Sequence, residues 1–294
     1  MLLNSIQDLP AAPERAVIIN VGTKWVSTLA LLSALRHVGM PVLLIDCEYG
    51  DGSLEHFKGL LRDHEFDLLS APLKKHGATL DWLFRNIPAE TVLLLDSDVE
   101  ILDEEIVRLS RNLLRTEPGD EPEAFGSGFV HGPCWLHDHP GVGYYQERMW
   151  IPFSFLRTAR VREALGTGLS FLDRAIPNDL PFWPLASRIL GLRFHLGMLR
   201  NTRLSWLNPL KRTFYGHKPS YVFCDTGADV FQYLKYERGL SFAGFPAGMH
   251  RRFVTHFHGT TRQKLDPEDT NTLQNVGMHE VRERLLVGYG MEMK

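Results

Sequence analysis

Three cysteines in 294 residues, Cys47, Cys134 and Cys224, are too few and too scattered for a disulfide framework, and no C-x-x-C pair marks a zinc knuckle. Also missing is any apolar run of roughly 18 residues, the length of a spanning helix. The nearest approach, 180–199, is broken by Pro181, Pro184, Arg188, Arg193 and His195. Charge of either sign is modest: 32 Lys and Arg against 35 Asp and Glu leave a net charge of -3, which gives no whole-chain attraction for nucleic acid or anionic lipid. There is no G-x-G-x-x-G, so a dinucleotide fold is not supported. No helical H-x-x-x-H occurs either, so a zinc hydrolase is not indicated. Internal repeats are absent. The opening MLLNSIQDLPAAPER, interrupted by Asp8, Pro10 and Pro13, lacks the basic-then-apolar layout of a signal peptide, and with the unpaired cysteines it gives the expectation of a cytoplasmic protein.

What is present is alternation. RAVIINVG, MPVLLIDCEYG, FDLLSAP and TVLLLDSD are short β-rich runs, and TKWVSTLALLSALRHVG, SLEHFKGLLRDH, a segment around Gly77–Arg85 and DEEIVRLSRNLLRT between them have helical patterning. This β-α-β-α order predicts a mostly parallel central sheet flanked by helices. Asp103 is placed to cap the fourth helix, with Glu104 and Glu105 complementing its dipole. Beyond the polar loop PGDEPE the pattern changes. AFGSGFVHGPCW and QERMWIPFSFLRT read as strands, RVREALGTG as a short helix, 177–220 as a Pro-punctuated insertion, TGADVFQYLKYERGL as an amphipathic helix and RRFVTHFHGTTRQ as a strand-bearing segment. One domain over 1–294 is expected, divided into a nucleotide-binding half (16–130), a second half (131–262) carrying the insertion 177–220, and a helical tail (263–294).

Chemistry concentrates at the strand ends. In TVLLLDSDVEIL an apolar strand runs into Asp96-Ser97-Asp98, and carboxylates at i and i+2 of a strand share a face. Two carboxylates aimed together repel unless a cation lies between them, so a divalent metal is expected there, with Asp98 in direct contact and Asp96 nearer a ribose or bound through water. The alternative is that D-S-D caps the following helix. Asn20, Gly22, Thr23 and Asp46 also fall at strand ends, where open parallel sheets bind their ligands. Gly22 and Thr23 suit close backbone approach to a nucleotide and N-terminal capping.

These elements and motifs, in order, resemble the GT-A glycosyltransferases, particularly the inverting enzymes of family 2. LIDCEYGDGS resembles the family's second strand with an Asp that contacts the nucleotide base. The strand into Asp96-Ser97-Asp98 is similar to its D-x-D metal motif. FCDTGADVFQYLKYERGLSF looks like its acidic motif at a helix start, and VTHFHGTTR resembles its late His-x-x-Gly segment. The resemblance spans most of 16–262 and finds no counterpart for 177–220. It implies a GT-A (nucleotide-diphospho-sugar transferase) fold of the α/β class. It also implies transfer from a nucleoside-diphosphate sugar, UDP- or dTDP-linked, to a hydroxyl of a glycan or lipid-linked acceptor, with inversion and with Mn²⁺ or Mg²⁺. Asp46 would then accept from the N3–H of uracil or thymine; by itself it also reads as a turn-forming Asp. Asp225 would be the base that deprotonates the acceptor, with Asp229, one turn later, as substitute; Asp225 in CDTGADVF reads equally as an N-cap.

Either His256 or His258, which share a face if 253–258 is a strand, could complete the metal site, and each reads equally as a structural histidine. His258, directly before Gly259, is slightly preferred. Arg262 could meet the diphosphate, as could a solvated basic face. The aromatic and basic residues of 177–220 suit an anionic acceptor, a peripheral membrane contact or a packed subdomain. Two other functions share the architecture: a nucleotidyltransferase, for which NVGTKW is poor in glycine and basic residues, and a catalytically degenerate nucleotide-binding module.

Overall fold

The computed structural model describes residues 1–21, 24–47, 52–72, 76–114, 123–131, 148–177, 194–195, 198–199, 221–245, 249–257 and 272–293. β1 (Leu2–Leu3) leads through a 3₁₀ turn (Ile6–Asp8) into β2 (Ala12–Asn20). There follow α1 (Lys24–His37), β3 (Val42–Asp46), α2 (Ser53–Leu60), β4 (Asp67–Ser70), α3 (His76–Asn86) and β5 (Ala89–Asp96). The eight-stranded sheet has the order β1-β4-β3-β2-β5-β8-β7-β13, completed by β7 (Ala124–His131), β8 (Arg148–Arg157) and β13 (Ser241–Gly244). Every neighbouring pair is parallel except the two that involve β8. The expected α/β architecture, a mostly parallel sheet flanked by helices, is the one observed.

The central strands read as continuous apolar runs because both faces are covered. Alternate residues serve opposite layers. Val17, Ile19, Leu43, Ile45, Val92 and Leu94 pack with α3 and with α5 (Thr158–Gly166). Ala16, Ile18, Leu44, Leu93 and Leu95 pack with α1, α2 and α4 (Glu105–Leu114). The expected cap is in place: the Glu105 N–H donates to the Asp103 carboxylate at 2.9 Å. A third cluster joins α1 to the C-terminal helix Thr272–Tyr289 through Val26, Leu29, Leu32, Phe257, Val281 and Leu285.

Small ladders complete the structure. β6 (Val99–Ile101) pairs antiparallel with β14 (Val254–His256), β9 (Arg174–Pro177) with β12 (Tyr221–Cys224), and β10 (Phe194–His195) with β11 (Met198–Leu199). Apart from these β10 and β11 residues, the insertion beyond Pro177 lies outside the described residues. The amphipathic segment 226–240 departs from the expected single α-helix. It forms one α-turn over Ala228–Gln232 and then a π-helical turn over Tyr233–Glu237, which lets Leu234 stay wholly buried beside Val230 and Phe231. No described helix is long and apolar enough to cross a membrane.

Candidate metal and nucleotide site

β5 ends at Asp96, and Ser97–Asp98 form a turn before the chain resumes as β6. The two carboxylates therefore do not converge by strand alternation, as the spacing suggested; the turn and its partner strand bring them together. In the β6–β14 register His256 faces Val99, and the Phe257 N–H donates to the Asp98 carbonyl at 2.8 Å. This carries His256 Nε2 to 3.1 Å from Asp98 Oδ1. The Trp150 ring meets the imidazole edge-on at 5.4 Å between centroids. Ligand atoms of Asp96, Asp98 and His256 all lie within 4.8 Å of one another.

This geometry suits one cation: donors at about 2.0–2.3 Å from a shared centre lie up to about 4.6 Å apart, close to the limit found here, and two carboxylates with an imidazole form a donor set for a divalent ion. Burial also fits. Asp98 and His256 side chains are 9% and 14% exposed, whereas Asp96 keeps 24%, which leaves one side open to a ligand. Burial pushes the Asp96 carboxyl above its ordinary range against the opposing pull of His76, and the charge of Asp98 adds to the rise. Burial lowers His256, but the hydrogen bond and charge of Asp98, with Asp96, outweigh it and the imidazole ends above its usual value. Both shifts are those of a crowded acidic cluster that a cation would relieve.

Two residues overlooked in the sequence join the cluster. His76, the first residue of α3, places Nε2 at 3.6 Å from Asp96 Oδ1. Arg148, the first residue of β8, is buried, and its field reaches both Asp96 and His256. Its Nη2 pairs with Asp225 Oδ2 at 2.5 Å, and Nη1 donates to the Met149 carbonyl at 2.9 Å. Because β8 runs against its neighbours, its beginning lies at the edge where β5 ends, a consequence of topology with no local sequence signal.

Asp225 precedes the helix N-cap, Gly227, by two residues; its carboxylate accepts from the Thr226 N–H at 2.8 Å and its carbonyl from the Ala228 N–H at 2.9 Å. Gly227 has φ of 79°, a left-handed conformation that favours glycine, and a Cβ there would press on Met149, Ile151 and Phe171. Asp229 is half-buried in the first turn of that helix.

Asn20 and Asp46 meet at neighbouring strand ends. Asn20 Nδ2 donates to Asp46 Oδ1 at 2.7 Å, Ser53 Oγ to the same carboxylate at 2.8 Å, and Ser27 Oγ to Asn20 Oδ1 at 2.5 Å. Asp46 and Asn20 are fully buried. Gly22, Thr23, His258 and Arg262 lie outside the described residues.

No family model matches the chain, and no curated protein matches it. Among solved structures it is similar to the mannosyltransferase PcManGT from Pyrobaculum calidifontis in complex with GDP-Man and Mn²⁺, at 11% identity and TM-score 0.42, over 52% of this chain and 47% of that one. It is similar to S. aureus TarS 1-349 at 12% identity and TM-score 0.36, over 96% and 76% of the two chains. A third is the 4-diphosphocytidyl-2C-methyl-D-erythritol synthase from Anaerococcus prevotii, at 10% identity and TM-score 0.39, over 80% and 96%. The matched region spans about half (47%) of the mannosyltransferase chain. At such identities and TM-scores the reading of function rests on the site itself.

Proposed function

We propose that the protein is a metal-dependent glycosyltransferase that moves a sugar from a UDP- or dTDP-sugar to a hydroxyl of a glycan or lipid-linked acceptor, with inversion. The observation that supports this most is the Asp96, Asp98 and His256 cluster at the carboxyl edge of a parallel sheet, where such folds bind nucleotides. Asp98 and His256 would hold Mn²⁺ or Mg²⁺, with Asp96 on its open side. A bound divalent ion supplies Lewis-acid stabilisation of the departing diphosphate. Arg148 adds a fixed positive charge at the same edge, suited to the negative charge that develops on a leaving group.

Asp225 is the proposed base, and its pairing with Arg148 bears on that role. A carboxylate tied to a guanidinium must share or release that contact before it takes a proton from an acceptor hydroxyl. Arrival of the diphosphate gives Arg148 a second anion to bind, which would free one carboxylate oxygen of Asp225. Asp46 contacts a base only by sharing its carboxylate with Asn20 and Ser53; otherwise it fixes the floor of the nucleotide crevice.

Calorimetry with UDP and Mn²⁺ tests the reading. Metal-dependent binding that Asp98→Asn abolishes, with the melting transition retained, is expected. Absence of binding, or binding indifferent to metal and to the substitution, would sink it. Pyrophosphate release from a nucleoside triphosphate and a sugar phosphate would instead make the protein a nucleotidyltransferase.

A further inference from the structure

A histidine serves a metal only if its ring is aimed, and β14 by itself does not aim His256. The strand is three residues long and His256 is its last. Rotation about the Cβ–Cγ bond of a histidine is broad and roughly two-fold, so a half-turn puts a ring carbon where Nε2 had been. The contact with Asp98 Oδ1 at 3.1 Å holds the ring at one point. A second contact is with Trp150, whose ring stands at 84° to the imidazole with the centroids 5.4 Å apart, a perpendicular packing within the contact range of aromatic pairs, about 4.5–7 Å.

Trp150 reaches β14 because β8 leaves its regular ladder there. Gly128 of β7 faces Ser154, yet Val130 faces Met149, so β8 fits extra residues into the interval, Trp150 among them. Such a bulge bends the strand and re-aims its side chains, and bulges gather beside active sites. Pro152 lies within it, a residue that cannot donate to a ladder and that sheets accept at bulges. Ser154 Oγ closes the bend by donating to the Trp150 carbonyl at 2.8 Å. The indole is buried and is itself fixed. Phe129 stands against it at 83° and 5.5 Å, and Phe129 packs in turn on Phe153 at 6.0 Å and on Phe245 at 5.3 Å. A firm aromatic wall therefore bears on the imidazole.

We infer that Trp150 is a positioning residue of the metal site: it holds the His256 ring so that Nε2, rather than a ring carbon, faces Asp98 and a cation bound there. This rests on the metal reading above and adds to it what sets the third ligand. Trp150 touches neither ion nor substrate in this role and acts through His256 alone. Groups that orient a metal ligand from behind change affinity by about 10- to 100-fold when they are removed.

The test is Mn²⁺ binding to the full chain without nucleotide, followed by electron paramagnetic resonance, with the ¹⁴N coupling of a bound imidazole read by spin-echo modulation. Trp150→Leu should weaken binding by about 10-fold and change the ¹⁴N coupling, while Trp150→Phe, which keeps a flat ring, should restore most of both. Phe155→Leu, at a buried aromatic further along β8, should lower the melting temperature and leave Mn²⁺ affinity unmoved. On a His256→Ala background Trp150→Leu should cost nothing further, because the two substitutions remove one interaction. Should Trp150→Leu not fold, Trp150→Met, which fills more of the volume but has no flat ring, takes its place. If the parent takes up no Mn²⁺, or His256→Ala binds it as the parent does, the metal reading fails and this inference with it. If His256→Ala weakens binding but Trp150→Leu does not, or if the two losses add, the inference about Trp150 alone is overturned.

Discussion

Arg284→Met is the perturbation whose effect can be followed furthest. Arg284, on the C-terminal helix, places Nη1 at 2.6 Å from Glu100 Oε2, and Glu100 stands two residues after Asp98 on β6 with its side chain 8% exposed. Removing one partner of a fully buried pair costs about 3–5 kcal/mol, and an exposed pair contributes about 0.2–1 kcal/mol. Arg284 is 33% exposed and also binds Glu280, which places this pair between the limits, at about 2 kcal/mol. For a chain of 294 residues, with about 2.1 cal/mol/K of unfolding entropy per residue, that is a fall in melting temperature of about 3 °C. The double variant Glu100→Gln with Arg284→Met removes the orphaned charge and should recover most of the loss. Because Glu100 shares the three-residue β6 with the chain leaving Asp98, the single variant should also weaken Mn²⁺ binding by about 10-fold, within the range for residues that orient ligands. Differential scanning fluorimetry and a metal titration read both effects. If the single and double variants melt together, or if metal affinity is unmoved while stability falls, the pair neither stores the expected energy nor orients the site.

Asp225→Asn should keep donor binding and reduce transfer by about 10²- to 10⁴-fold, while Asp229→Asn is mild, as single-turnover assays would show; the reverse ranking moves the base by one turn. Arg148→Met should lower turnover more than it alters metal affinity, and a variant with unchanged turnover would remove Arg148 from the chemistry. Gly77→Ala should destabilise by about 1–3 kcal/mol, because the new methyl meets backbone of Phe171 and Leu172 rather than a movable side chain, and urea denaturation would detect it.

The parallel core was legible because strands buried on both faces leave unbroken apolar runs, as β2, β3 and β5 do, and because Asp103 announces the helix it caps. Asp96 and Asp98 were legible as a pair, yet for a reason that fails locally: period-two alternation ends where β5 ends. The third member was ambiguous since its place is set by pairing between segments 158 residues apart, and neither segment records that partnership in its own pattern. Arg148 and His76 were missed for the same cause. Each is the first residue of an element, and only the reversed direction of β8 and the entry of α3 bring them to the carboxylates.

The three-residue ladder between β6 and β14 has a consequence for how the chain reaches its final state. Were it to close alone, a loop of about 150 residues would cost about 4–5 kcal/mol of chain entropy, more than a few strand pairs recover. Phe253, Val254 and Phe257, buried around it, offer about 1.5–3 kcal/mol each and outweigh that cost only once the sheet and α1 are there to receive them. The burial of these neighbours is therefore the main force that holds His256 beside Asp98, and the hydrogen bond between the two adds to it. Ion capture at this cluster would then report that two segments 158 residues apart have met.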